Sequence, residues 1–320
     1  MKKHKICKII LAILAVFLCV AFYELIGICI TYKKQPAVSD ATIKETQNIM
    51  SVAGRENTER AVIIEKNSQA LLERVRLIQN AKDEIILSTF AFKSDESGKL
   101  ILGALHDAAD RGVHVRILVD GMESWIDMEG NPYFYGLSSH ENVEIKLYNK
   151  ANPLKPWKTM GRMHDKYLIA DGKIYILGGR NTYNYFLGDF PGHKNFDRDV
   201  LVVCDEPQKD NSVNQLWNYF ETIWEQEDCR YFHNSKKLAD RQSVKKAVLE
   251  LQEGYQQYFE VNKEKICDTD YADETFETEK ITLLSNPIHT QAKEPVVWYQ
   301  LGELMKNAKE RVKIHTPYII

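Results

Sequence analysis

The chain has 320 residues, 44% hydrophobic and 27% charged, the proportions of an ordinary globular protein with room for one or two cores. Residues 1–34 carry six lysines and one glutamate, which leaves 36 basic against 44 acidic residues, a formal −8, in the rest. Such a body lacks the basic footprint of a general nucleic-acid binder, and its six cysteines show no CxxC spacing that would suggest zinc.

The first element is apolar. No charge interrupts Ile9–Tyr23, and the run resumes after Glu24, so Ile9–Tyr32 as a helix spans roughly 36 Å, enough for a bilayer core. No small-x-small cleavage site follows, and Cys19 and Cys29 are preceded by Leu18 and Ile28, which favours an uncleaved anchor over a signal peptide or lipoprotein. Lys2, Lys3, Lys5 and Lys8 precede the segment, against Lys33 and Lys34 behind it. This bias predicts a single pass through the cell membrane, with the N-terminus cytoplasmic and the body outside.

Residues 1–34 are thus read as the anchor, and the polar, weakly periodic stretch 35–66 as a tether. Ser68 is placed to cap a helix over Gln69–Asn80, followed by a strand over Glu84–Phe92. A helix over Lys99–Arg111 stops at Gly112, and Val113–Val119 reads as the next strand. Strand–helix–strand at this spacing predicts a βαβ unit and parallel pairing. Further strands are expected over Val143–Tyr148, Met163–Ala170, Lys173–Leu177 and Val200–Cys204, with helices over Val213–Gln226 and residues 236–259. Residues 67–262 therefore form an α/β domain. Residues 263–299 read as a linker, because Asp268–Glu279 holds six acidic residues and few aliphatics.

Near the end the sequence echoes itself. Asn80-Ala-Lys-Asp-Glu-Ile-Ile-Leu-Ser-Thr89 recurs as Asn307-Ala-Lys-Glu-Arg-Val-Lys-Ile-His-Thr316, each after a helix-like run. This predicts that residues 300–320 begin a second copy of the domain, and that Tyr318–Ile320 lie inside a strand of a chain cut short.

Chemistry concentrates in Met163-His164-Asp-Lys166-Tyr-Leu-Ile-Ala-Asp171 and Gly178-Gly179-Arg180-Asn181. On a strand, His164 and Lys166 share a face and can address one anionic group: the ammonium binds a phosphate oxygen while the imidazole attacks phosphorus or moves a proton. Asp171 opens an Asp-Gly turn and suits fixing that turn. Gly178 and Gly179 let backbone N–H groups approach an anion, and Asn181 adds an amide donor. Each residue alone is unremarkable. The spacing H-x-K-x4-D-x6-G-G-x-N on strand–turn–strand is not.

That pattern resembles the signature of the phospholipase D superfamily, and Arg162-Met-His-Asp-Lys with Leu177-Gly-Gly-Arg-Asn181 is most similar to bacterial cardiolipin synthases. The resemblance, over about residues 66–230, implies a mixed sheet sandwiched by helices and phosphatidyl transfer or hydrolysis on phospholipids. Phosphatidylglycerol is the expected substrate, with phosphatidylethanolamine as a second. It implies no cofactor and no metal, and disfavours nucleic acid as a partner. His164 matches the family histidine that forms the phosphohistidine or protonates the leaving alcohol. Lys166, Gly179 and Asn181 match phosphate-holding positions, and Asp171 the motif aspartate, mainly structural. Asp199 matches a downstream acid that could orient the imidazole, a role for which Asp197 competes. The family site combines two such motifs, whereas this chain has one, so the second is expected from a longer chain or from a homodimer.

Among the remaining candidates, Tyr133-Phe-Tyr135 and Pro153-Leu-Lys-Pro-Trp157-Lys read as a lipid-facing rim or as packed loops. Trp217, Phe220 and Trp224 read as core.

Overall fold

The computed structural model describes residues 2–51, 59–208 and 210–316. They fall into two units, one of Met1–Arg55, Asn152–Gly161 and Thr282–Ile320, the other of Glu56–Ala151 and Arg162–Ile281. In the first, α1 (Lys2–Tyr32) is the apolar helix expected from the sequence. Its stretch His4–Tyr32 is apolar and unburied, with the length and composition of a helix able to cross a membrane. α2 (Asp40–Ser51) follows within the expected tether. The Glu294 carboxylate accepts from the Ser39 N–H at 2.7 Å and the Thr42 hydroxyl at 2.6 Å, satisfying donors at the start of α2.

The second unit is built on β1 (Glu59–Ile64), α3 (Asn67–Asn80), β2 (Glu84–Thr89), α4 (Glu96–Asp110), β3 (His114–Asp120), α5 (Glu123–Asp127), α6 (Pro132–Ser138) and β4 (Val143–Tyr148). It continues with β5 (Tyr167–Ala170), β6 (Ile174–Gly178), β7 (Asp199–Cys204), α7 (Ser212–Trp224), β8 (Cys229–Tyr231), α8 (Lys236–Ala239), α9 (Gln242–Ile266) and β9 (Phe276–Glu277). The strands form one mixed sheet in the order β8-β4-β3-β2-β5-β6-β7-β1-β9. Strands β2, β3 and β4 are parallel and the other pairings antiparallel, so the predicted βαβ unit is β2-α4-β3. Alternate residues of the central strands, Ile85 and Leu87, Val115 and Ile117, Leu168, Ile176 and Leu201, join Leu71, Val75, Ile101, Leu105 and Leu251 of the helices in one core. Burying each such side chain contributes about 1.5–3 kcal/mol. Gly112, at φ 93°, ends α4 as its position predicted.

Several elements differ from expectation. β1 lies inside the supposed tether, where the run Ala61–Ile64 pairs with β7. Helix α3 starts at Asn67 after Lys66, without a side-chain cap, so Ser68 is within the helix rather than its cap. Helix α9 extends to Ile266, and the acidic stretch behind it is not a free linker. Arg76 sits 3.9 Å over the Tyr271 ring and donates to the carbonyls of Asp268 and Asp270, while β9 pairs with β1. Two of its carboxylates, Asp268 and Glu274, pair with the buried Arg76, an arrangement that composition alone does not reveal.

Back in the first unit, α10 (Val296–Asn307) is the helix of the sequence echo, but residues 308–316 form no strand. Tyr318–Ile320 lie outside the described residues.

Candidate active site

Around β2 the sheet changes from parallel to antiparallel pairing, since β3 lies on one side and β5 on the other. In open α/β sheets ligands bind outside the carboxyl ends of the parallel strands. Because β5 runs against β2, its lead-in Met163–Lys166 arrives at the same edge. The strand expected from Met163 begins only at Tyr167, whose register partner Ser88 is the penultimate residue of β2. His164 and Lys166 thus sit just outside the ladder.

The Gly178 N–H donates to the Lys166 carbonyl at 3.2 Å, and Gly178 pairs in register with Asp199. Lys166, Gly178 and Asp199 form a row across three strands on one face, and its middle member has no side chain. A Cβ at Gly178 would lie 2.6 Å from the Arg198 carbonyl oxygen and collide with the Asp199 carboxylate, so only glycine fits. A Cβ at Gly179 would meet the Asp197 carboxylate instead. The glycine pair therefore accommodates two carboxylates, a demand the sequence did not reveal.

Lys166 is buried, and its ammonium donates to the His164 carbonyl at 2.6 Å. Burial pushes the ammonium down to about 8, opposed by the charges of Asp165 and Asp197. Partial burial, then the neighbouring Lys166 charge, lowers the His164 pKa, so the imidazole is neutral at pH 7. Phe90, one residue beyond β2, packs its ring 4.6 Å from the His164 ring and 5.3 Å from the Lys166 ammonium. Asn181 reaches the same loop, its Oδ1 accepting from the Ala91 N–H at 3.1 Å, which leaves the amide NH2 as its donor end. Buried Arg180 steadies this segment through the carbonyls of Ile64, Glu65 and Asp197.

The structure thus gathers His164, Lys166, Gly179 and Asn181. It does not bring Asp171 to them. At the far end of β5, with φ 52°, Asp171 accepts from the backbone N–H groups of Lys82, Asp83 and Glu84 and locks the α3–β2 turn. The expected hydrogen bond from His164 to Asp199 is not formed. The Asp199 Oδ2 is held by Arg74 at 2.9 Å and Arg180 at 3.2 Å, both buried, and its Oδ1 has no hydrogen-bond partner.

Phe90 and Asp120 were missed in the sequence. Fully buried at the end of β3, Asp120 accepts from the Met163 N–H with one oxygen and from the Met122 and Glu123 N–H groups with the other, each at 3.2 Å. It also pairs with the Arg162 guanidinium. The residue before His164 is thereby fixed to β3. An Asp-Gly at the end of an apolar strand was the available signal.

The aromatic candidates resolve differently. Phe134 and Tyr135 are buried in α6, and the Tyr133 hydroxyl donates to Glu250, so this segment is no rim. Phe220 and Trp224 are core and flank Arg116, while the half-buried Trp217 donates to Glu84.

Residues 75–224 match a family described as "Cardiolipin synthase, PLD-like domain". An uncharacterized protein of Helicobacter pylori is 27% identical over 82% of this chain and 55% of its own length. Cardiolipin synthase C of Escherichia coli is 29% identical over 44% of this chain and 31% of that protein. Cardiolipin synthase 1 of Staphylococcus aureus is 35% identical over 35% of this chain and 22% of that protein. The chain therefore spans about half or less of the length of these curated relatives. It carries a phospholipase D-like domain related to bacterial cardiolipin-synthase-like proteins.

Proposed function

We propose that this chain is half of a membrane-anchored phosphatidyltransferase of the cardiolipin synthase type, with His164 as its nucleophile. The observation that carries the reading is an imidazole beside a buried ammonium, His164 and Lys166, both against the Phe90 ring at the C-terminal edge of β2. Lys166 and the Asn181 amide, with the Gly179 backbone beside them, would hold the phosphate oxygens as charge builds in the transition state. An imidazole nitrogen attacks phosphorus of a phospholipid such as phosphatidylglycerol. The P–O bond to the headgroup alcohol breaks, and that alkoxide takes a proton from the histidine of a second motif. The resulting phosphatidyl-histidine is attacked by the hydroxyl of a second lipid, which returns its proton to the same base and frees His164.

The second motif comes from a longer chain or from a second copy. If the sequence echo marks a true repeat, its histidine falls about 227 residues beyond His164. α1 anchors the protein with its N-terminus in the cytoplasm and the catalytic unit outside. Asp171 and Asp199 support the site from a distance in this reading.

The test is product analysis of the complete gene product in vesicles of phosphatidylglycerol, with and without phosphatidylethanolamine. Diphosphatidyl product with release of headgroup alcohol supports transfer; phosphatidic acid alone means hydrolysis, and no lipid turnover refutes the reading.

A further inference from the structure

The surface of α5 is inverted. Met122, Trp125 and Ile126 stand at i, i+3 and i+4, the spacing of one helical face, yet they are 36, 62 and 73% exposed. The opposite face, Ser124 and Met128, is buried. Asp127, in the same turn, pairs with Lys93 at 3.7 Å. α5 is tied to the reacting histidine through Asp120, which holds the N–H groups of Met122, Glu123 and Met163. Beside the site's other carboxylate, Asp197, Phe196 is 80% exposed.

We propose that Met122, Trp125 and Ile126, together with Phe196, dip into the bilayer interface and present the His164 site to headgroup phosphates. This rests on the lipid-directed reading above and names the surface that would engage the substrate's phase. Three observations favour a bilayer as the occupant. The same chain carries α1, which keeps the protein at a membrane. Met122, Trp125 and Ile126 occupy a single helical turn, a small surface suited to shallow insertion rather than to the ~1,000 Å² of a stable protein interface. A tryptophan leads it, the side chain that combines an apolar body with a polar N–H suited to the headgroup boundary.

The full-length chain in phosphatidylglycerol–phosphatidylethanolamine vesicles containing lipids brominated high in the acyl chain provides the test. Trp125 should contribute a blue-shifted, bromolipid-quenched component that vanishes in Trp125→Phe. In Ile126→Ser/Phe196→Ser, which leaves Trp125 in place, that quenching should fall by about threefold or more. All these residues are exposed, so unchanged circular dichroism should accompany the loss. Trp125 quenched by aqueous acrylamide rather than bromolipid overturns the proposal. Protection from both quenchers, with a concentration-dependent dimer, also overturns it and assigns the patch to a protein partner. Lipid turnover measured in the same vesicles separates the two ideas: turnover without bilayer contact sinks this inference alone, whereas contact without turnover sinks the functional reading alone.

Discussion

At the scale of single residues, Lys166 and His164 set the pH behaviour. The proposed mechanism requires His164 neutral and Lys166 charged, so kcat/KM should be bell-shaped. It rises as the imidazole deprotonates below its ordinary 6.5 and falls as Lys166 loses its proton near 8. In Lys166→Arg, any residual activity should lose the upper limb, because guanidinium stays charged. The same burial has a stability consequence. The folded-state pKa of Lys166 lies below its unfolded value, so the fold bears a penalty that is full below pH 8 and vanishes above about 10.4. Lys166→Met should therefore abolish turnover while its melting point at pH 7 equals or exceeds that of the wild type. Above pH 10 that advantage should disappear. Asp171 should show the opposite pattern. Asp171→Ala removes the acceptor for three backbone N–H groups and strains a positive φ, and should cost about 1–3 kcal/mol in urea unfolding while the folded fraction retains turnover. The motif made these residues conspicuous in the sequence. Its spacing placed Asp171 in the turn beyond the strand, but did not say that the carboxylate holds the N–H groups of Lys82, Asp83 and Glu84.

At the scale of elements, the β5–β6–β7 ladder decides what each motif residue can touch. Asp199 is in the right row, but Arg74 of α3 and Arg180 claim it, and all three are buried. Asp199→Asn should destabilise by about 3–5 kcal/mol, since two guanidiniums lose their counter-charge, as read by chemical denaturation. An acid limb of the pH profile that also moves in this variant would mean that Asp199 acts on His164. The central strands and α3, α4 and α7 were legible because each is a run of apolar residues at period 2 or 3.6 with a clear stop. β9 was hidden because it has two residues, and β1 because its place depends on pairing with β7 across the sheet. α5 was hidden because its apolar face points outward, against the rule by which a helix is recognised.

At the scale of the molecule, the relatives are about twice as long or longer than the stretch they share with this chain, and one motif is half of the machinery proposed. The residue pattern pointed to phosphodiester chemistry, while the second motif proposed to complete it, from a longer chain or a second copy, has no match in these 320 residues. The measurement that bears most directly on the central claim is covalent trapping: quench the complete protein in alkaline detergent during turnover of phosphatidylglycerol labelled in its phosphate, then map the adduct. Label on His164, stable to base and labile to acid, and lost in His164→Ala together with turnover, is the predicted result. Label retained in His164→Ala, or turnover that continues without His164, would contradict it.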